Sequence, residues 1–367
     1  MAFMNNTFAW LMCFLKNEDV DVERPLSEWF RLIALSRQLG LLGLLANRIE
    51  GLNISPSLLK RINTHLISAK LQVENQQKSV NWHIEKLVAN NPDGIQFLVL
   101  KGAAYLFAQK SIATGRTMSD VDILVTRSSL DNAEFWLFLN GYASIKNDEY
   151  DDYYYRQWMH ELPPFMHTTG GLTLDLHHNL LPMTSKRFID PHLLFAEARE
   201  AKPNFFIPSD ADLIIHSAVH LLQDSVFNRT LRDLTDLYHL INALTQHQHS
   251  AAALFARAKT LRLEKDVAKV FSLLHSVFKR ELLPNETDFV KQCLGRSLFW
   301  PVEKRCYITM LQQPLLSEWT AKHHLSSWVL FVKSHLIKMP LTLLIKHSYV
   351  KTIKNIKSSW EQHETQK

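Results

Sequence analysis

The sequence contains little cysteine. Cys13, Cys293 and Cys306 are the three cysteines among 367 residues. Their number is odd, they are widely scattered, and they lack the spacing of metal ligands. The sequence therefore supports neither a disulfide framework nor a cysteine-based zinc site, and this cysteine usage is typical of a reducing compartment.

Long uninterrupted hydrophobic runs are also missing. Residues 8–15 are apolar, but no Lys or Arg precedes them and no small-residue cleavage site follows, so we expect a helix rather than a signal peptide. Three lysines and a proline interrupt the apolar stretch of residues 328–350, whereas a membrane-spanning helix needs about 20 nearly uninterrupted apolar residues. We therefore predict a soluble, cytoplasmic protein.

The chain also lacks internal repeats, low-complexity segments and a strong charge imbalance. Its net charge of +5 is mild for this length, so it suits a polyanionic ligand such as a nucleotide without requiring a nucleic-acid partner. We expect no stable complex with nucleic acid. Because 46% of the residues are hydrophobic, the chain can bury a substantial core, which excludes a disordered protein.

Four regions with different patterns follow one another. Residues 1–92 have apolar residues at helical spacing, residues 93–207 mix strands and helices, residues 208–320 are helical again, and residues 321–367 form a basic amphipathic segment. Within the second region we predict strands at "IQFLVL", at "VDILV", near residues 153–159, near residues 165–167 and in "LTLDLHH". The predicted fold class is α+β, with a small mixed sheet between N-terminal helices and a C-terminal helical domain.

Two acids interrupt an otherwise apolar strand in "SDVDILV", residues 119–125. Strand alternation places Asp120 and Asp122 on one face, and it places Asp175 on the polar face of "LTLDLHH". Neighbouring carboxylates repel and are costly to bury unless a proton, a cation or a basic side chain lies between them. Three aspartates on two strands can hold one or two Mg²⁺ or Mn²⁺ ions, which suit displacement at phosphorus.

The segment "FLVLKGAAYLF" predicts a phosphate-binding site that would accompany these acids. It predicts a strand, a Lys101-Gly102 turn and a helix that begins near Ala103. Backbone N–H groups at a helix start can bind an anion, and a glycine there lets a phosphate come close. Lys101 and Arg116 would add positive charge beside it.

This order of motifs resembles the polymerase-β-like nucleotidyltransferase superfamily. Within it, "LKGAAYLF", "GRTMSDVDILV" and "LDLHHNL" resemble a bacterial, largely uncharacterised nucleotidyltransferase family. The resemblance implies that Asp120, Asp122 and Asp175 bind metal and are catalytic. Ala103 stands where the superfamily usually has Ser. The nucleotide-binding residues that we predict are Lys101, Gly102, Ala103, Arg116 and Ser119.

The implied activity is Mg²⁺-dependent transfer of a nucleoside monophosphate from an NTP such as ATP to a hydroxyl group, with release of pyrophosphate. The acceptor is unknown and could be a sugar, a metabolite, a peptide or a protein. His177, Arg232 and Asp236 are candidates for contacting the acceptor or supporting the metal site. The alternatives are a non-catalytic nucleotide-binding or partner-binding module on the same fold, and a sugar transferase, which the helical first hundred residues fit poorly.

Three further patterns have both a structural and a functional interpretation. His216 and His220 stand at i and i+4, a zinc-compatible spacing without an evident third ligand. The acids and aromatics of residues 149–158 could stack on a base or form a plain two-stranded hairpin. Seven lysines and no acid occur in residues 322–357, interleaved with Trp328 and Phe331, so this segment could contact anionic lipid at the membrane periphery or pack on the body as a solvated helix.

Overall fold

The structure is a computed structural model that describes residues 2–91, 93–145, 149–170, 172–185, 187–246, 250–346, 350 and 352. Helices dominate both ends of the chain, as predicted. The α-helices are α1 Ala2–Lys16, α2 Leu26–Gln38, α3 Leu42–Glu50, α4 Pro56–Ala89, α5 Lys101–Phe107, α6 Leu130–Leu139, α7 Glu149–Trp158, α8 His192–Glu197, α9 Asp210–Gln223, α10 Thr230–Thr245, α11 Ser250–Thr260, α12 Glu264–Val277, α13 Pro284–Leu294, α14 Trp300–Leu311 and α15 Ala321–Lys338.

A mixed sheet of seven strands lies between the two helical regions, which confirms the α+β fold class. Its spatial order is β3-β4-β5-β2-β1-β7-β6. The strands are β1 Phe97–Val99, β2 Asp120–Leu124, β3 Tyr142–Ser144, β4 Phe165–His167, β5 Thr173–His177, β6 Arg199–Lys202 and β7 Phe205–Ile207. The two strands that carry the acidic motifs, β2 and β5, are neighbours at the centre of the sheet and run parallel.

The N-terminal helices reach the sheet region through a short 3-10 segment, Ser111–Gly115. Gln77 of α4 donates a hydrogen bond to the Ala113 carbonyl at 2.7 Å. Helix α3 approaches the same segment so closely that a Cβ atom on Gly115 would lie 2.5 Å from the Leu44 Cα. This contact fixes the chain immediately before Arg116.

The C-terminal helices are built around α9, which is buried on almost every side. Its buried residues include the polar Asp212, His216, Ser217 and Gln223 as well as apolar ones, so neighbouring elements cover its polar side chains too. The Ser209 hydroxyl caps it by accepting a hydrogen bond from the Asp212 N–H at 3.2 Å. Tyr105 of α5 and Ser217 of α9 share a buried hydrogen bond, so α9 stands directly beside the acidic strands. The four-region division itself stays a prediction.

Several local predictions are confirmed. Strands form within the predicted "IQFLVL", "VDILV" and "LTLDLHH" segments and over residues 165–167, and the helical spacing predicted for residues 1–92 includes α4, which runs unbroken to Ala89. The predicted strand near residues 153–159 is wrong, because residues 149–158 form helix α7 and not a hairpin. Three acids occupy the first turn of α7, and Arg156 pairs with Asp152 one turn away at 2.9 Å. These helix-favouring charges outweigh the strand preference of the tyrosines.

No helix among the described residues is long and apolar enough to cross a membrane. In the basic segment, Lys333 points inward, where it lies 2.8 Å from Glu303 and donates to the Leu222 carbonyl at 2.7 Å. Lys333 therefore belongs to the packing of this segment against the body, which was one of the two alternatives for the segment. Lys351, Lys354 and Lys357 lie outside the described residues.

The close approach of α3 to the 3-10 segment predicts a steric penalty at Gly115. Gly115→Ala should lower the free energy of unfolding by about 1–3 kcal/mol, because its Cβ would meet the Leu44 backbone, which cannot rotate away. Urea denaturation measures this change. Gly51→Ala is the matched control, since a Cβ there meets nothing within 4 Å. Equal stability of the two variants would contradict the assignment of this contact.

Candidate functional site

The three predicted metal-binding acids lie on one face of the central strand pair. In the parallel register of β2 and β5, Asp120 lies opposite Thr173, and Asp122 lies opposite Asp175. Residues paired in this way point to the same side of a sheet, so the three carboxylates share one face. Asp120 is exposed, Asp122 is buried, and Asp175 lies between these extremes.

Two basic groups hold the buried Asp122 carboxylate. Lys101 forms an ion pair with Oδ1 of Asp122, and Nε2 of His177 donates to the same oxygen at 2.9 Å. Burial opposes ionisation here, but the two basic groups outweigh it and hold the pKa of Asp122 well below its ordinary value. Lys101 has a φ angle of 48°, a left-handed conformation that is uncommon outside glycine and that often marks a functional position.

The neighbouring Asp175 carboxylate lacks such compensation. Its Oδ1 atom is buried and has no hydrogen-bond partner among the described residues. Burial raises the pKa of Asp175 to about 7, and the negative charges of Asp122 and Glu161 add to this shift. The site thus holds one carboxylate that is fully neutralised and another that still needs a proton or a cation.

A cleft of about 380 Å³ opens in front of Asp120 and Asp122. This volume is in the range of small-molecule sites, roughly 300–1,000 Å³. Its walls are formed by β2 and α5 of the mixed region and by α9 and the start of α10 of the C-terminal helices. The cleft is lined by Lys101, Gly102, Tyr105, Arg116, Thr117, Ser119, Asp120, Asp122, Ser217, His220, Asp224, Val226, Asn228, Arg229, Arg232 and Asp233.

Arg116 takes up the space above Gly102 in this cleft. A Cβ atom on residue 102 would collide with the Arg116 guanidinium, so the glycine makes room for an arginine. Nε of Arg116 donates to Asp236 at 2.6 Å, and its Nη2 atom lies 3.5 Å from Asp233. Two predicted site residues, Arg116 and Asp236, therefore pair with each other, and this pair ties the sheet region to α10.

Arg229 is a cation that the sequence interpretation missed. Its Nη1 donates to the Ser119 hydroxyl at 3.3 Å, and it has no carboxylate partner among the described residues. Arg232, in contrast, binds Asp233 through two hydrogen bonds of 2.7 and 2.9 Å. Spacing gives a signal for Arg229, because it stands three residues before Arg232 at the start of α10, where both can face one cleft.

A second, smaller cavity of about 170 Å³ lies on the other side of Lys101. Asp175 and His177 line this cavity and not the first cleft, while Lys101, His220 and Asp224 line both. Ala103 is buried in the core and lines neither. The sequence interpretation missed His160 and Glu161, which line the second cavity from an irregular segment that has no recognisable motif.

The raised pKa of Asp175 predicts a stability penalty that depends on pH. The folded pKa of about 7 lies above the ordinary 3.8, so the folded state binds the proton more tightly and stability is lost as pH rises from about 4 to about 7. Asp175→Asn removes this loss. In EDTA, the variant should be more stable than the parent protein near pH 8, with the difference shrinking toward pH 4.

Urea denaturation across this pH range measures the effect. Asp120→Asn is the control, since it removes an exposed carboxylate from the same face of the sheet. A stability difference for Asp175→Asn that does not change with pH would contradict the assigned shift.

Comparison with known proteins identifies a family. The sequence model of a family described as uncharacterised nucleotidyltransferases matches residues 25–279, well over half of the chain. No curated protein and no solved structure gives a significant match. The family resemblance inferred from the acidic strands is confirmed, and the chain belongs to this uncharacterised nucleotidyltransferase family.

Proposed function

We propose that this protein transfers a nucleoside monophosphate from an NTP to a hydroxyl-bearing acceptor and releases pyrophosphate, with Mg²⁺ or Mn²⁺ as its cofactor. The observation that carries the proposal is the register of β2 and β5, which sets Asp122, in the first cleft, beside Asp175, in the second cavity. Three free cysteines support the predicted reducing, cytoplasmic location.

The carboxylates fit a divalent cation. Asp175 Oδ1 is buried and has no hydrogen-bond partner among the residues that the structure describes. Burial and the nearby negative charges raise the pKa of Asp175, so an added positive charge would satisfy it. Asp120, Asp122 and Asp175 would hold the ion through the oxygen ligands that Mg²⁺ prefers. When bound, the ion neutralises charge on the phosphates and on the attacking and leaving oxygens.

The cations of the cleft would position the triphosphate. Within the described part of the chain Arg229 has no carboxylate partner, and Lys101 reaches the same space from α5. Arg116 is committed to Asp236 and would shape the cleft rather than donate its full charge. The acceptor oxygen attacks the α-phosphorus, the bond to the β-phosphate oxygen breaks, and Asp175 takes the hydroxyl proton. Positioning and charge neutralisation would supply most of the rate enhancement.

The second cavity provides a place for the acceptor. It meets the first cleft at Lys101, and Asp175 lines it. An acceptor hydroxyl there would face the carboxylate that takes its proton. The choice among sugar, metabolite, peptide and protein depends on the acceptor's fit beyond this small cavity.

A non-catalytic nucleotide-binding module is the second candidate. The Lys101–Asp122 ion pair favours it, since a lysine already neutralises an acid that a metal ion would need. The two candidates differ in turnover: a binding module would bind NTP without forming a product.

Transfer activity distinguishes these candidates. The protein is incubated with each α-labelled NTP, Mg²⁺ or Mn²⁺ and host extract, and labelled species are resolved. Asp120→Ala and Asp122→Ala should each abolish labelling, because each removes a proposed ligand of the divalent ion. Asp120 is exposed, so Asp120→Ala should keep the fold intact, whereas Asp122→Ala leaves Lys101 without its partner and is checked for folding by circular dichroism. Asp131→Ala is the matched control, since it removes an exposed acid outside the cleft. Metal-dependent labelling by the double variant would refute the proposed site.

We further propose that the C-terminal helices contact an anionic membrane surface. Helix α15 buries Ser326, Leu330 and Ser334, whereas four of its large apolar side chains are exposed, namely Leu325, Trp328, Phe331 and Leu336. Large exposed apolar patches mark interaction sites. The exposed side chains on α15 and beside it are Leu298, Phe299, Val302, Leu325, Trp328, Phe331, Leu336, Leu341 and Ile345. Arg296, Arg305, Lys322 and Lys346 surround them with positive charge, which suits anionic lipid headgroups.

Vesicle flotation tests this surface. The double substitution Phe299→Ser with Trp328→Ser should weaken binding to phosphatidylserine-containing vesicles by about tenfold or more. Each aromatic side chain that becomes buried in the lipid contributes roughly 1.5–3 kcal/mol to binding. Phe138→Ser removes an aromatic of similar exposure on α6 and should leave binding unchanged. Equal binding to uncharged vesicles, or self-association through the same residues, would contradict a membrane partner.

A further inference from the structure

Three side chains with nitrogen and oxygen ligand atoms converge in the second cavity. Nε2 of His177 lies 3.4 Å from Oε2 of Glu161, and Nε2 of His160 lies 3.8 Å from the same oxygen. The three ligand atoms all lie within 4.8 Å of one another. Metal–ligand bonds of about 2.0–2.1 Å at a tetrahedral zinc ion place neighbouring ligand atoms roughly 3.4 Å apart. The observed spacing is close to this value.

The backbone holds the three residues in this arrangement. Glu161 and His177 face each other across an isolated antiparallel bridge. The Leu162 N–H donates to the Leu176 carbonyl at 2.9 Å, and the His178 N–H donates to the His160 carbonyl at 2.8 Å. The ligand set is therefore anchored to the end of β5 by main-chain hydrogen bonds on both sides of Glu161 and does not depend on a free loop.

The charges around the cavity leave room for a divalent cation. Glu161, Asp175 and Asp224 line it, and Asp122 binds His177 at its edge. Two lysines, at positions 101 and 338, line the same cavity. With Lys101 paired to Asp122 and Asp175 assigned to Mg²⁺, Glu161 and Asp224 leave a negative charge at this cavity that Lys338 does not fully cancel.

We propose that His160, Glu161 and His177 bind one Zn²⁺ ion beside the aspartate site proposed for Mg²⁺. Imidazole nitrogen suits zinc, whereas a set of carboxylates suits magnesium, so the two sites differ in chemistry. Two histidines and one glutamate would supply three ligands to a tetrahedral zinc ion. The fourth position would then be open, as it is in catalytic zinc sites. Binding would replace the proton that His177 Nε2 shares with Asp122, and this proton would leave to solvent.

His160, Glu161 and His177 line the cavity that we assign to the acceptor. A water molecule or an acceptor hydroxyl bound to the zinc ion there would lose its proton more readily than in bulk water. This role rests on the proposed transfer function, whereas the binding of zinc does not.

Metal titration of the full chain tests the site. After removal of metal with EDTA, Co²⁺ is titrated as a spectroscopic probe and Zn²⁺ is measured by competition. One ion per chain and a tetrahedral visible spectrum are expected. His160→Ala and Glu161→Gln should each weaken Zn²⁺ binding by about tenfold or more. Circular dichroism and Mg²⁺-dependent thermal stabilisation would verify that both variants are folded.

Two control variants keep the result unambiguous. His216 and His220 line the same cavity, so His216→Ala tests whether that pair holds the ion instead. Asp120→Asn should retain Zn²⁺ binding, because Asp120 lines only the first cleft. Undiminished Zn²⁺ binding by His160→Ala and Glu161→Gln, or loss of binding in His216→Ala alone, would overturn the proposal. Zn²⁺ binding without any nucleotide transfer would leave the zinc site standing and reject only its catalytic role.

Discussion

A carboxylate buried in the middle of a β-sheet must be matched by positive charge, and Asp122 imposes this requirement on its surroundings. The ion pair with Lys101 and the hydrogen bond from His177 meet it. Removing one partner from such a buried pair leaves an uncompensated charge, which is far more costly than losing a surface ion pair. The lysine is held in a left-handed backbone conformation between β1 and α5, so the local chain path is also constrained by this pair.

The parts of the site that depend on strand alternation could be predicted from the sequence. An Asp-x-Asp motif in an apolar strand and a single Asp in a second strand specify which side chains share a face. The sequence could not specify that β2 and β5 are neighbours in a register that pairs Asp122 with Asp175, because that pairing is a tertiary contact. The family resemblance filled this gap.

Other features escaped prediction for identifiable physical reasons. The tyrosines of α7 favour a strand locally, but their charged neighbours form helical ion pairs. The sequence suggests that Arg116 is a phosphate ligand, but in the fold Arg116 forms an ion pair with Asp236. Glu161 and His160 come from an irregular segment, where no periodicity indicates which way a side chain points. In each case a long-range partner or a local charge pattern decided the outcome, and composition alone did not reveal it.

Lys101 connects the two cavities, and this position constrains how the site could work. Its ammonium group neutralises Asp122 in the absence of nucleotide, and it borders the cleft where a triphosphate would bind. If a divalent cation takes over the charge of Asp122 in the proposed reaction, Lys101 becomes available to a phosphate oxygen. If Lys101 exchanges the Asp122 carboxylate for a phosphate, its ammonium group stays paired with a negative charge. No buried charge is then left without a partner at any stage. The ion pair that favours a silent binding module is therefore equally compatible with a catalytic site at rest.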